Sequence, residues 1–136
     1  LAASPLEWRY AISPVRLSSD DPLLRHKTNW RGVHDGELAR LGAQTGCAEV
    51  LFLNEQDELC EGSRSNLFVE IDGMLLTPAQ PCGLLDGCLR QDLLTQGQCR
   101  EAVLKLSDLD RAARIYFGNS LRGLIRAMPV TCAGSP

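Results

Sequence analysis

Glu61-Gly62-Ser63-Arg64-Ser65-Asn66-Leu67-Phe68 is the stretch whose reading decides the fold. A carboxylate opens it, a Gly/Ser turn follows, and an apolar strand begins at Asn66 and runs to Ile71. A second strand, Met74 to Thr77, faces the first across Asp72-Gly73. Such a pair is the strongest short hairpin signal, because a two-residue turn of this kind needs left-handed backbone at both positions. Upstream, Glu49 to Leu53 is a short apolar strand and Asn54 to Glu58 a turn. Trp8 to Leu17 alternates as a strand, with Pro14 marking an edge or a bulge. Ser18 to Leu24 is a polar turn. A helix is expected from Asn29 to Gln44, since Trp30, Val33, Leu38 and Leu41 fall at helical spacing. Asn29 would cap it and Gly46 stop it, although Gly32 and Gly36 weaken it.

Downstream, Pro78 to Gly83 reads as a loop and Cys88 to about Gln96 as a helix ended by Gly97. Ala102 to Leu106 is a strand, and Ser107 caps a short helix over Asp108 to Ala113. Strands at Ile115 to Phe117 and Leu124 to Val130 flank the turn Gly118-Asn119-Ser120. The order β-α-β-β-β-α-β-α-β-β predicts one mixed α/β domain, largely antiparallel or barrel-like, structured over about residues 8–130.

Composition narrows the function classes. At 136 residues the chain is one domain's worth. A net charge of -3 gives no basic field for nucleic acid. No apolar run approaches the ~20 residues that span a bilayer, and the start lacks the pattern of a secretory signal. The six cysteines contain no Cys-x-x-Cys pair, and His26 and His34 have no cysteine at zinc-ligand spacing, so neither a disulfide framework nor a metal is expected. Small buried thiols in a reducing, cytoplasmic compartment fit better. Leu1 to Pro5 reads like a linker, so the chain is expected to be part of a longer polypeptide.

Lys27 and Lys105 are the only lysines. Lys27 stands just before a helix, and its amine can form a Schiff base with an aldehyde cofactor. Arginine, which carries the remaining positive charge, stays protonated and cannot. Glu61 can hold a pyridine nitrogen protonated, so that the ring withdraws electrons. Gly87-Cys88-Leu89 opens a helix, where free N–H groups and the helix dipole bind anions. A surface lysine, a turn carboxylate and an ordinary glycine turn are the plain alternatives for these three features.

Four ordered blocks carry a resemblance over nearly the whole chain. They are His26-Lys27-Thr28-Asn29-Trp30-Arg31, the Glu61 to Phe68 stretch, Thr77-Pro78 leading to Gly83-Leu84-Leu85-Asp86-Gly87-Cys88-Leu89-Arg90, and Phe117-Gly118-Asn119-Ser120-Leu121-Arg122-Gly123. In this order, with 34 positions from Lys27 to Glu61, the chain resembles the C-terminal domain of fold-type IV pyridoxal-phosphate enzymes, the D-amino-acid aminotransferase-like fold. That family holds branched-chain and D-amino-acid aminotransferases and aminodeoxychorismate lyases. The resemblance implies pyridoxal 5'-phosphate as cofactor. It makes Lys27 the catalytic lysine and cofactor anchor and Glu61 the partner of the ring nitrogen. The backbone of Cys88 and Leu89 would hold the phosphate, with the Ser120 hydroxyl beside it. Arg64 and Asn66 would shape the turn presenting Glu61. Gly32-Val33-His34 and Asp86 depart from the family pattern without removing a catalytic group. The family's small N-terminal domain, with a phosphate-binding arginine and much of the substrate pocket, has no counterpart in this chain and would complete the site; a homodimer is also implied.

Within the family, His26-Lys27-Thr28 with Arg31, and Asn119 to Gly123, look most like aminodeoxychorismate lyase, as fused behind a para-aminobenzoate synthase component on the way to folate. The reaction so implied splits 4-amino-4-deoxychorismate into para-aminobenzoate and pyruvate. A class IV aminotransferase acting on branched-chain or D-amino acids starts identically and is the alternative. A catalytically incomplete, structural or dimerising domain is the non-enzyme reading.

Overall fold

Period-two alternation runs through the strands and sorts their side chains into an inside and an outside. A computed structural model describes residues 4–18, 31–79 and 87–130. In chain order these form β1 (Ser4–Leu17), α1 (Arg31–Thr45), β2 (Glu49–Asn54), β3 (Leu59–Gly62), β4 (Asn66–Ile71) and β5 (Met74–Pro78). Then come α2 (Cys88–Thr95), β6 (Arg100–Ala102), α3 (Leu106–Arg111), β7 (Arg114–Asn119) and β8 (Gly123–Pro129). The sheet order is β3-β2-β1-β8-β7-β4-β5-β6, and a further pairing of β3 with β4 closes the first six strands into a barrel. β1 runs parallel to both its neighbours, β5 and β6 are parallel, and the other pairs are antiparallel. The mixed, largely antiparallel, barrel-like expectation is borne out.

The barrel interior holds Tyr10, Leu51, Leu53, Leu59, Leu67, Val69, Phe117 and Ala127, drawn from all six strands of the ring. Tyr10 meets Phe117 edge-on at 5.6 Å, a favoured aromatic geometry. The residues between them point outward. Val50 and Phe52 pack with Leu41 of α1, while Phe68 and Leu124 pack with Leu93 of α2. Burying each Leu or Phe contributes roughly 1.5–3 kcal/mol, so the core and its two helical covers hold the ring.

Three register shifts interrupt the ring, one between β1 and β8 and two nearer the α1 side. Pro14 lies in an inner strand, where its missing N–H would break the ladder. The ladder slips there: Ile12 pairs with Leu51 but Arg16 with Leu53, so residues 13–15 bulge. Ser13 stabilises the bulge by donating its hydroxyl to Glu37 and accepting the Val15 N–H at 3.0 Å. The other shift near α1 lies between β2 and β3. Leu53 faces Leu59, yet Phe52 faces Glu61, so Cys60 is an extra residue.

The Asp72-Gly73 hairpin forms with φ of 54° and 77° and Ile71 opposite Met74. β3 is a strand that the sequence pattern did not reveal, because all four of its residues are buried and no alternation marks it. Glu61 therefore sits on a strand, with the turn after it rather than around it. The strand expected at Ala102 to Leu106 is instead β6, and α3 starts at Leu106. Lys105, not Ser107, precedes that helix, and the Asp108 carboxylate accepts the Lys105 N–H at 2.8 Å. The turn expected at Ser18 to Leu24 beyond its first residue, the cap at Asn29 and most of the Pro78 to Gly83 loop lie outside the described residues. Among the described residues no helix is long and apolar enough to cross a membrane.

Candidate active site

A one-residue insertion in a strand changes which face the following side chains meet. In a regular strand Glu61, two residues on, would share the face of Leu59 and point into the barrel. The bulge instead sets Glu61 opposite Phe52, on the outer face beneath α1. There its Oε2 lies 3.2 Å from His34 Nε2, with Glu61 2% and His34 1% exposed. The His34 ring also packs on Phe52, centroid to centroid 4.5 Å.

From Glu61 a transverse row crosses the outer face. Glu61 pairs with Asn66, Asn66 with Gly118, and Gly118 with Leu124. The row leads from α1 to the start of α2. A Cβ on Gly87, the residue before α2, would lie 2.7 Å from Asn66 Oδ1. One on Gly118 would lie 2.9 Å from both Leu89 Cδ2 and Leu124 Cδ2. Glycine at both positions thus lets α2 approach the strands more closely than any side chain would permit. The first turn of α2 carries no acidic residue, and Gly87 offers no side-chain cap. The backbone N–H groups of Cys88 and Leu89 therefore begin a helix whose positive end suits an anion.

The turn after Glu61 is organised by a carboxylate from another strand. Glu49, fully buried at the start of β2, accepts the N–H of Ser63 at 2.8 Å and of Arg64 at 3.1 Å. It also accepts the hydroxyls of Ser63 and of Ser65, the latter at 2.7 Å. Gly62 passes so close that an added Cβ would meet Glu49 Oε2 at 2.7 Å. The neighbouring β7–β8 turn is tied to it: Asn119 Nδ2 donates to the Arg64 carbonyl at 3.3 Å. Asn119 Oδ1 in turn accepts the N–H of Leu121 and Arg122, curling the turn that carries Ser120. Arg64 itself points away, its guanidinium 5.5 Å from the Trp8 ring centroid and bonded to the Ala48 carbonyl.

Glu61, Cys88 and Leu89 are therefore brought to one outer face of the barrel, between α1 and α2. Ser120 is exposed at the tip of the adjoining turn. Lys27 lies outside the described residues. His34, Glu49 and Asn119 shape the site, a role the sequence did not assign to them. His34 had a signal, a polar residue at helical spacing with half-buried Leu38 and buried Leu41. Chemically, the face offers a buried carboxylate suited to a cationic ring nitrogen and a helix start suited to an anion.

Residues 2–129 match the family model for amino-transferase class IV, so the chain belongs to that family, whose members are pyridoxal-phosphate enzymes of fold type IV. A Mesorhizobium loti structure assigned as an amino-acid aminotransferase is 43% identical, with a TM-score of 0.85, covering 96% of this chain and 62% of its own. A Thermotoga maritima protein assigned as a branched-chain-amino-acid aminotransferase is 29% identical over 84 residues, 58% of this chain and 31% of that protein. A Schizosaccharomyces pombe protein assigned as an aminodeoxychorismate lyase is 27% identical over 112 residues, 79% of this chain and 48% of that protein. The chain thus spans between about a third and a half of these two curated relatives.

Proposed function

We propose that this chain is the cofactor-holding part of a pyridoxal-phosphate-dependent aminodeoxychorismate lyase, which releases para-aminobenzoate and pyruvate from 4-amino-4-deoxychorismate. The observation that carries the cofactor reading is the buried Glu61 carboxylate at one end of the Glu61–Asn66–Gly118 row, with the start of α2 at the other. These poles suit a cofactor with a basic ring nitrogen and a phosphate. When bound, pyridoxal phosphate supplies an electron sink to a substrate amine. Glu61 would hold the ring nitrogen protonated. The N–H groups of Cys88 and Leu89 would hold the phosphate, with the Ser120 hydroxyl as a further contact. Lys27 would anchor the cofactor and move a proton at the substrate's amine-bearing carbon.

The lyase choice rests on the lysine block, His26-Lys27-Thr28 with Arg31, and on Asn119 to Gly123; the lyase relative from S. pombe supports it. The 43% identical aminotransferase structure favours the second reading, transfer of an amino group by a class IV aminotransferase. Placement in the cytoplasm suits the four described cysteines, none of which forms a disulfide with another described residue. A homodimer and a second domain completing the pocket belong to the same reading.

The test uses the intact protein. Lyase activity appears as para-aminobenzoate and pyruvate in equal amounts, whereas an aminotransferase passes the amino group to a 2-oxo acid. Glu61→Gln should lower turnover far more than cofactor affinity, because the amide fills the same space but cannot balance a cationic ring. After borohydride reduction, mass spectrometry should find the cofactor on Lys27. Adduct on Lys105 alone, or equal losses in turnover and affinity for E61Q, would sink the assignments.

A further inference from the structure

We infer that His34 is a positioning residue for Glu61, holding the carboxylate ionised and aimed along the outer face. The inference rests on the proposed pairing of Glu61 with the cofactor ring nitrogen. A glutamate on a strand has three side-chain torsions, and nothing in the strand ladder fixes where its oxygens point. His34 approaches from α1, a different element, and meets Oε2 at 3.2 Å. Both side chains are shielded from water, at 1% and 2% exposure, so solvent cannot replace that bond. The imidazole is itself oriented, because its ring packs on Phe52 at 4.5 Å. Phe52 is also the cross-strand neighbour of Glu61, so one aromatic ring seats both partners.

The consequence is electrostatic as well as geometric. An imidazole N–H donated to a carboxylate favours its charged form, and only the charged form stabilises a protonated pyridine ring. A fixed Oε2 also fixes the plane of the carboxyl and the direction of its second oxygen. His34 need not touch the cofactor to matter; it acts through Glu61. A purely packing role is the competing explanation, and the two make opposite rankings of two variants. His34→Phe keeps a ring against Phe52 and removes the donor. His34→Gln loses the ring but can present an amide N–H near the place of Nε2.

The probe is pyridoxine 5'-phosphate, which lacks the aldehyde and so undergoes no chemistry, carrying 15N in its ring. Bound to the intact protein, its nitrogen resonance reports the protonated fraction. At a pH where the wild-type complex is about nine-tenths protonated, H34F should fall to about one-half, roughly a ninefold drop in the ratio. H34Q should recover most of that drop. If H34F does not fold, His34→Asn, too short to reach Glu61, serves as the donor-free variant. Protonation unchanged in the donor-free variant, or lower in H34Q than in H34F, overturns the role of His34. Glu61→Gln separates the two layers: if E61Q protonates the ring as fully as wild type, the pairing of Glu61 with the ring fails, and the inference falls with it.

Discussion

Glu49 shows how much a single buried residue can decide. Its two oxygens gather the N–H groups of Val50, Ser63 and Arg64 and the hydroxyls of Ser63 and Ser65, so the turn after Glu61 folds around a negative charge. Glu49→Gln keeps the shape but turns an NH2 group toward donors that need an acceptor. The variant should lose on the order of 2–4 kcal/mol of stability, read from urea unfolding. An unchanged midpoint would mean that the turn holds its shape without the carboxylate. The turn after Glu61 was legible in the sequence, because Gly and Ser side by side are a local signal. Glu49 and His34 were not legible. Their partners are 14 to 16 and 27 positions away, and local patterning carries no record of such contacts.

Among the elements, α2 depends on a glycine that belongs to another strand. Gly118 of β7 faces Leu89, and a methyl group there would come within 2.9 Å of that side chain and 3.0 Å of the Gly123 carbonyl. Gly118→Ala should push the start of α2 outward, costing about 1–3 kcal/mol in thermal unfolding. Pyridoxal 5'-phosphate affinity should fall in parallel, by roughly tenfold, if the helix start holds the phosphate. A lowered melting temperature with unaltered affinity would separate α2 from the phosphate. The β4–β5 hairpin and α2 were legible because turn chemistry and helical period are local signals. β3 was not, being short and buried on every residue, and neither was the Cys60 bulge that turns Glu61 outward. A bulge is a property of two strands read together.

For the molecule as a whole, acid should loosen the fold gradually. Arg40 and then Ser13 hold the Glu37 carboxyl below its usual range, and the Lys105 N–H and then Arg111 do the same for Asp108. Both groups therefore bind protons more readily in the unfolded chain. Their stabilisation is present above the ordinary carboxylate range and is lost as pH falls through the lowered native values. Both carboxyls pair with arginines that are largely exposed, so the effect is modest and weakens with salt. Denaturation midpoints measured from neutral to acid pH should decline, and the E37Q/D108N double variant should flatten that decline. A slope unaltered in the double variant would assign the acid response to other carboxylates.

The ring of strands closes where Glu61 meets Asn66, and the turn beside that closure brings the Gly62 N–H to the Ser65 carbonyl at 2.8 Å. The residues that seal the barrel are thus those that build its candidate site. Any fluctuation that parts β3 from β4 dismantles the place where a small molecule would sit, and any occupant must wait for the seam to shut. Occupancy and breathing then compete for the same hydrogen bonds, so a bound ligand would act as a clasp on the ring and slow amide exchange along its seam.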